Sequence, residues 1–265
     1  MKISKHSLLL IGLGAVIIGA LALSDRRSAA PPAATNASAL KNAEAVAVRG
    51  ENVAYFGDRK GYFVGPDDAK AYPGVVMIHE WWGLNDNIRA MARELAGRGY
   101  LVLAVDLYGK VAADQAEARA AVGALDQKDA IDNMRAAMEF LRRQGATKMA
   151  SLGWCFGGGQ SLQLALNERL DATVIYYGNL VTDEKALANI TWPVLGVFGD
   201  QDQAIPVSGV RTFEASLKKL GVPGEIHVYP GVGHAFANPS GANYAPKETA
   251  DAWAKTLDFL ARNLR

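Results

Sequence analysis

From about residue 74 to the C-terminus, short apolar runs alternate with segments whose apolar residues recur three and four positions apart. The runs "GVVMIHEWWG" (74–83), "YLVLAVDLYG" (100–109), "KMASLGWC" (148–155), "ATVIYYG" (172–178), "WPVLGVFGDQD" (192–202) and "EIHVYPGVGHAF" (225–236) predict buried strands. Between them, "NIRAMARELAGRG" (87–99) predicts a helix that stops at a glycine, and residues 114–145 predict two more. Further helices are predicted from "GGGQSLQLALNERL", "VSGVRTFEASLKKLG" and the amphipathic "KETADAWAKTLDFLARNL". Ahead of this series, "AVAVRG" and "ENVAYFGDRKGYFVGP" alternate as antiparallel strands do, with breaks expected at Gly57-Asp58 and Lys60-Gly61. Strands that alternate with helices imply a mostly parallel, twisted sheet with helices on both faces, in one α/β domain over residues 44–265.

The N-terminus reads differently. Lys2 and Lys5 precede the uniform apolar run 8–23, which as a helix would reach roughly 24 Å, short of a hydrocarbon core of roughly 30 Å. Small residues at Ala20 and Ala22 suit a cleaved export signal, whereas the length of the run and the following Arg26-Arg27 suit an uncleaved anchor. Residues 1–27 are therefore expected to be an export signal or membrane anchor, with residues 8–23 as the tether in the second case. Residues 28–43, rich in Ala, Pro, Ser and Asn, are expected to be a disordered linker. In a bacterial cell this places the domain outside the cytoplasm, periplasmic or anchored to the inner membrane.

Composition narrows the function. The formal net charge is +1, with both signs interspersed, which argues against nucleic acid as a partner. Cys155 is the only cysteine, so no disulfide forms within the chain. The four histidines form no zinc-spaced cluster with it, and no metal or other cofactor is expected. A monomer is expected.

The polar residues that carry chemistry fall just after the predicted strands: Glu80, Cys155, Asp202 and His234. In open α/β sheets ligands bind at those carboxyl ends. Gly153-Trp154-Cys155-Phe156-Gly157 has the form G-x-nucleophile-x-G between a strand and a helix. Glycines two before and two after such a residue relieve the clashes of a sharp turn. The turn presents the thiol at a helix N-terminus, and the N–H of Phe156 is directed at a developing oxyanion. The alternative is an inert cysteine in a glycine-rich turn. An ordinary thiol, with a pKa of about 8.5, needs a base at neutral pH. His6 lies in the leader, and His79 and His227 lie in or at the ends of strands and read as structural. That leaves His234, in the glycine-flanked loop "GVGHAF". The orienting acid comes from "FGDQDQAIP": Asp202 is preferred, with Asp200 as the alternative. The order nucleophile, acid, histidine is that of the α/β-hydrolase fold. Glu80 sits beside Trp81 and Trp82, and burial there would raise its pKa. The N–H of Trp81 is the expected second oxyanion donor.

Taken in order, "HEWWGLND", "VDLYG", "GWCFGGG", "GDQDQAIP" and "GHAF" resemble the dienelactone hydrolase family over nearly all of the expected domain. The resemblance implies Cys155 as nucleophile, His234 as base, Asp202 as orienting acid and Glu80 as the carboxylate paired with the resting thiol. It implies hydrolysis of a small ester or lactone through a thioester, without cofactor. The best-known members hold an anionic dienelactone with two arginines; here Lys110 and Asn238 stand at those positions. Lys110 retains one cation without the bidentate fork of an arginine, so selectivity for that substrate does not follow. Trp82 and Tyr108 are further candidates for lining the substrate pocket. Two other functions are open to such a sequence: a non-catalytic small-molecule binder on this scaffold, and a redox-active thiol, against which the absence of a second cysteine counts.

Overall fold

The computed structural model describes residues 45–265. The expected signal or anchor (1–27) and linker (28–43) lie outside the described residues. Among the described residues no helix is long and apolar enough to cross a membrane.

Eight strands form one sheet in the order β1-β2-β4-β3-β5-β6-β7-β8. Strands β1 (Val48–Phe56) and β2 (Arg59–Pro66) make an antiparallel hairpin, and β2 pairs antiparallel with β4 (Leu101–Ala104). The rest is parallel: β4 with β3 (Gly74–Ile78), then β5 (Met149–Trp154), β6 (Ala172–Tyr176), β7 (Val194–Gly199) and β8 (Gly224–Tyr229). Every residue of β3, β4, β5, β6 and β7 is buried, so both sheet faces are covered, as near-continuous apolar runs require.

The connecting helices are α1 (Asp86–Gly97), α2 (Gln115–Gly123), α3 (Gln127–Arg143), α4 (Phe156–Asn167), the short α5 (Glu184–Leu187), α6 (Val207–Lys219) and α7 (Pro246–Leu264). Caps set several starts. Asn85, Asp114 and Asp126 accept from the backbone N–H three residues on, at the heads of α1, α2 and α3. Helices α1 and α7 meet where Trp253 Nε1 donates to Glu94 Oε1. Helices α3 and α4 meet through Gln127–Gln160 and Arg135–Glu168.

One expectation at the sheet edge is corrected. Only Gly57-Asp58 is a turn; Lys60-Gly61 lies inside β2, and β1 runs unbroken through Gly50. The glycines are there for close approach. A Cβ at Gly61 would sit 2.9 Å from the Ala104 carbonyl oxygen, and one at Gly50 2.2 Å from Tyr62 Oη.

Strand β3 lies between β4 and β5, so the chain leaves it in one direction and returns past it in the other. Such a reversal opens a crevice at the strands' carboxyl ends. Glu80, Cys155, Asp202 and His234 follow β3, β5, β7 and β8 and line that edge.

Candidate active site

Strand β5 ends at Trp154 and α4 begins at Phe156, leaving Cys155 alone to turn the chain. Cys155 has φ 53° and ψ −118°, a conformation most side chains avoid. Its N–H donates to the Tyr176 carbonyl at 3.0 Å, which ties the turn to β6. The flanking glycines are obligatory for packing. A Cβ on Gly153 would lie 2.1 Å from the Gly157 carbonyl oxygen, and one on Gly157 2.4 Å from those of Ile78 and His79. Positive φ recurs at Tyr177 and Ala235, next to the same site. Backbone strain of this kind gathers where a site is held in one geometry.

Three side chains from three loops form a line. His234 Nε2 lies 3.0 Å from Cys155 Sγ. His234 Nδ1–H donates to Asp202 Oδ2 at 2.8 Å. Asp202 is buried, and its Oδ1 accepts from the N–H groups of Ala204 (2.8 Å) and Ile205 (2.9 Å). Burial alone would raise the Asp202 pKa; the bonds from His234, Ile205 and Ala204 outweigh it and hold the carboxylate ionised. Burial alone would lower His234, but its bonds to Asp202 and Cys155 raise it to about 10. Asp200 is placed elsewhere: it is exposed, and its Oδ1 accepts from Gly231 N–H and Gln201.

Glu80 is 6% exposed. Its Oε2 accepts from Asn238 Nδ2, and its Oε1 has no hydrogen-bond partner among the described residues. Burial pushes its pKa up to about 7, against the opposing pull of His234 and the Asn238 bond. The pairing of Glu80 with the resting thiol, implied by the resemblance, is thus not the arrangement seen: the thiol bonds His234, and Glu80 bonds Asn238. Asn238 is itself buried and held, with Oδ1 accepting from Asn87 Nδ2 and Ser240 N–H.

The remaining candidates lie around this line. Trp81 and Trp82 pack edge to face at 5.0 Å, both half-buried, with the Arg119 guanidinium 6.0 Å from the Trp81 ring. Tyr108 stacks near Phe156 (5.4 Å) and His79 (4.8 Å). Lys110 is exposed and 3.7 Å from Glu117, with Tyr108 and Arg59 in the same groove.

His79 has a part in the site that sequence reading left out. It is fully buried, which lowers its pKa and keeps it neutral. Leu107 N–H donates to its Nε2 at 3.2 Å, so the ring proton sits on Nδ1, which donates to the Glu80 carbonyl at 2.6 Å. That bond, with a second that the Glu80 carbonyl accepts from Gly83 N–H at 3.2 Å, fixes the plane of the Glu80–Trp81 peptide. In a trans peptide the N–H points opposite to the C=O, so the two bonds also fix the aim of the Trp81 N–H. The signal available in the sequence was its place, one residue before Glu80.

A sheet crevice with a cysteine on a sharp strand-to-helix turn, an acid after a later strand and a histidine after the last is the site of an α/β-hydrolase fold. The family model for the dienelactone hydrolase family matches residues 60–264. The chain belongs to that family, a family of hydrolases. It is 31% identical over 243 residues to the "Putative carboxymethylenebutenolidase" of Saccharolobus solfataricus, covering 77% of this chain and 93% of that one. It is 31% identical over 212 residues to "Protein usf" of Aquifex pyrophilus, covering 72% and 89%. Among solved structures it resembles m3DLH, with 27% identity, a TM-score of 0.74, and 83% and 100% of the two chains covered. It also resembles the "Putative Dienelactone Hydrolase" of Klebsiella pneumoniae, with 25% identity and a TM-score of 0.75 over 82% and 99%.

Proposed function

We propose that this protein hydrolyses a small carboxylic ester or lactone through a thioester on Cys155. The observation that carries the reading is the line Sγ–Nε2, Nδ1–Oδ2, at 3.0 and 2.8 Å, on a strained turn at the sheet's carboxyl edge. Cys155 passes its proton to His234 Nε2 as its sulfur attacks the carbonyl carbon. The tetrahedral oxyanion is met by the N–H groups of Phe156 and Trp81; one such donor is typically worth about 3 kcal/mol. Collapse expels the alkoxide, which takes the proton from His234 Nε2. Water then loses a proton to His234 as it attacks the thioester, and the acid leaves with the sulfur restored. Glu80, titrating near neutrality, is the second group able to exchange a proton here. Residues 1–27 are read as delivering the domain out of the cytoplasm, cleaved or retained as an anchor.

The test is an assay of the purified protein on p-nitrophenyl acetate, a neutral lactone and an anionic dienelactone, beside its Cys155→Ala variant. Turnover of at least one by the wild type only is the expected result. A folded wild type with no activity above the variant would move the non-catalytic binder to first place.

The peptide lock makes a separate prediction. His79→Ala leaves the Glu80–Trp81 peptide held by Gly83 N–H alone, and since one oxyanion donor is worth about 10²–10³ in kcat, a loosened one is expected to lose about 10-fold. KM changes little, because the N–H acts on the oxyanion rather than on the bound ester. Steady-state kinetics on one ester decide it: a rise in KM with kcat intact would remove His79 from the site.

A further inference from the structure

Next to the catalytic line is a cavity of about 250 Å³ that the bond-breaking steps do not use. It opens between α1, the start of α7 and the loop after His234. Two residues join it to the site. Glu80 lines it, and so does Tyr177, whose ring stands edge-on to His234 at 5.3 Å.

The walls are mostly aromatic. Trp154, Tyr176 and Trp253 form one continuous surface, with ring centroids 5.5 Å (Trp154–Tyr176) and 6.4 Å (Trp154–Trp253) apart. Tyr244 also lines it and is 40% exposed, one of few large apolar side chains left open to solvent among the described residues. Among the described residues no lysine or arginine lines the cavity; its carboxylates are Glu80 and Glu94. Asn238 also lines it, and its side-chain N–H₂ is spent on Glu80. A carboxylate entering this space would leave water without a cationic partner, at a cost that ring stacking does not offset. Size is compatible with a ring: a cavity of about 150 Å³ is enough to hold benzene.

We infer that this cavity receives an uncharged aromatic group of the substrate, so that the protein selects neutral aromatic esters over anionic ones. The inference deepens the hydrolase reading and rests on it for the word substrate; occupancy of the cavity can be measured without turnover.

Binding is therefore read first, on the full-length Cys155→Ala variant, by ¹⁹F NMR titration with 4-fluorobenzyl alcohol, 4-fluorobenzoate and 4-fluorobenzylammonium. The alcohol is expected to bind at least about tenfold more tightly than the benzoate, a difference of about 1.4 kcal/mol. Ala250→Trp, at an exposed position of α7 that lines the cavity, is expected to weaken the alcohol by a similar factor. In the otherwise wild-type protein the same substitution is expected to lower the ratio of kcat/KM for benzyl acetate to that for ethyl acetate. Equal binding of the benzoate, or tighter binding of the ammonium than of the alcohol, would overturn the assignment of an uncharged group. Selective binding that ignores Ala250→Trp would overturn the location. If the alcohol binds as expected while Cys155→Ala still hydrolyses esters, the cavity stands and the nucleophile assignment falls.

Discussion

Replacing Cys155 with alanine is expected to reduce kcat by roughly 10⁴- to 10⁶-fold, the range seen when a nucleophile acting as part of a unit is removed. The remainder is what oriented amides and binding supply alone. The loss is one of chemistry, not of fold. Cys155 already holds φ 53°, and alanine meets the same backbone strain there. The residue caps no helix end with its side chain, so no capping bond is lost. Cys155→Ala is therefore expected to melt close to the wild type, while single-turnover traces show no thioester and no burst. Cys155→Ser tests the same point by a different route. The hydroxyl keeps the shape but surrenders its proton far less readily, so Ser is expected to lie between the two. Wild-type turnover in the alanine variant would remove the thioester from the mechanism and leave the Asp202–His234 pair to act on water.

Much of this architecture was legible because burial writes itself into composition. Strands covered on both faces read as unbroken apolar runs, and β3, β5, β6 and β7 lie inside the runs that predict them. The turn at Cys155 was legible for a steric reason: only glycine fits at 153 and 157, where a Cβ would meet backbone oxygens. Three things were not. The glycines of the edge hairpin look like breaks, because a sequence shows that a side chain is missing but not what fills the space. Helix α5, Glu184–Leu187, is too short to show a period. The Glu80–Asn238 bond is the third: it joins residues 158 apart in sequence, and no local pattern encodes it. Asp200 and Asp202 differ from these: the place of Asp202 past the strand end already favours it, and the structure adds the direction, Asp200 turning outward to Gly231 and Asp202 inward to His234.

The Glu80–Asn238 bond sets up the second large effect. Glu80→Gln is expected to stabilise the protein at pH 8 and to weaken it as an enzyme. In the fold the Glu80 carboxyl titrates near pH 7, against 4.5 for the ordinary side chain, because burial penalises the charge. A group whose folded pKa lies above its unfolded value contributes its full stability below about pH 4.5. It loses that contribution as the pH rises through about 7. At pH 8 the wild type thus holds a buried carboxylate at a cost of about 3 kcal/mol relative to the neutral form. Glutamine has the same shape, still accepts from Asn238 Nδ2 and carries no charge; its N–H₂ takes the place of the unpartnered Oε1, so the figure of about 3 kcal/mol is an upper bound on the gain. For a domain of this size the expected gain at pH 8 is up to roughly 6–12 °C in melting temperature, shrinking to nothing near pH 4.5. Activity moves the other way. A positioned acid or base typically contributes about 10²–10⁴, and kcat of Glu80→Gln is expected to fall by about the lower figure, with loss of the wild-type limb that titrates near pH 7. Melting curves and pH–rate profiles of the two proteins, read side by side, decide the matter. A pH-independent difference in melting temperature would mean that Glu80 is not the buried acid described above. A stable variant with full activity would mean that the charge is carried for some purpose other than the chemistry at Cys155. Stability alone gives no reason to keep a carboxylate where an amide would fit; a proton that has to move near neutral pH does.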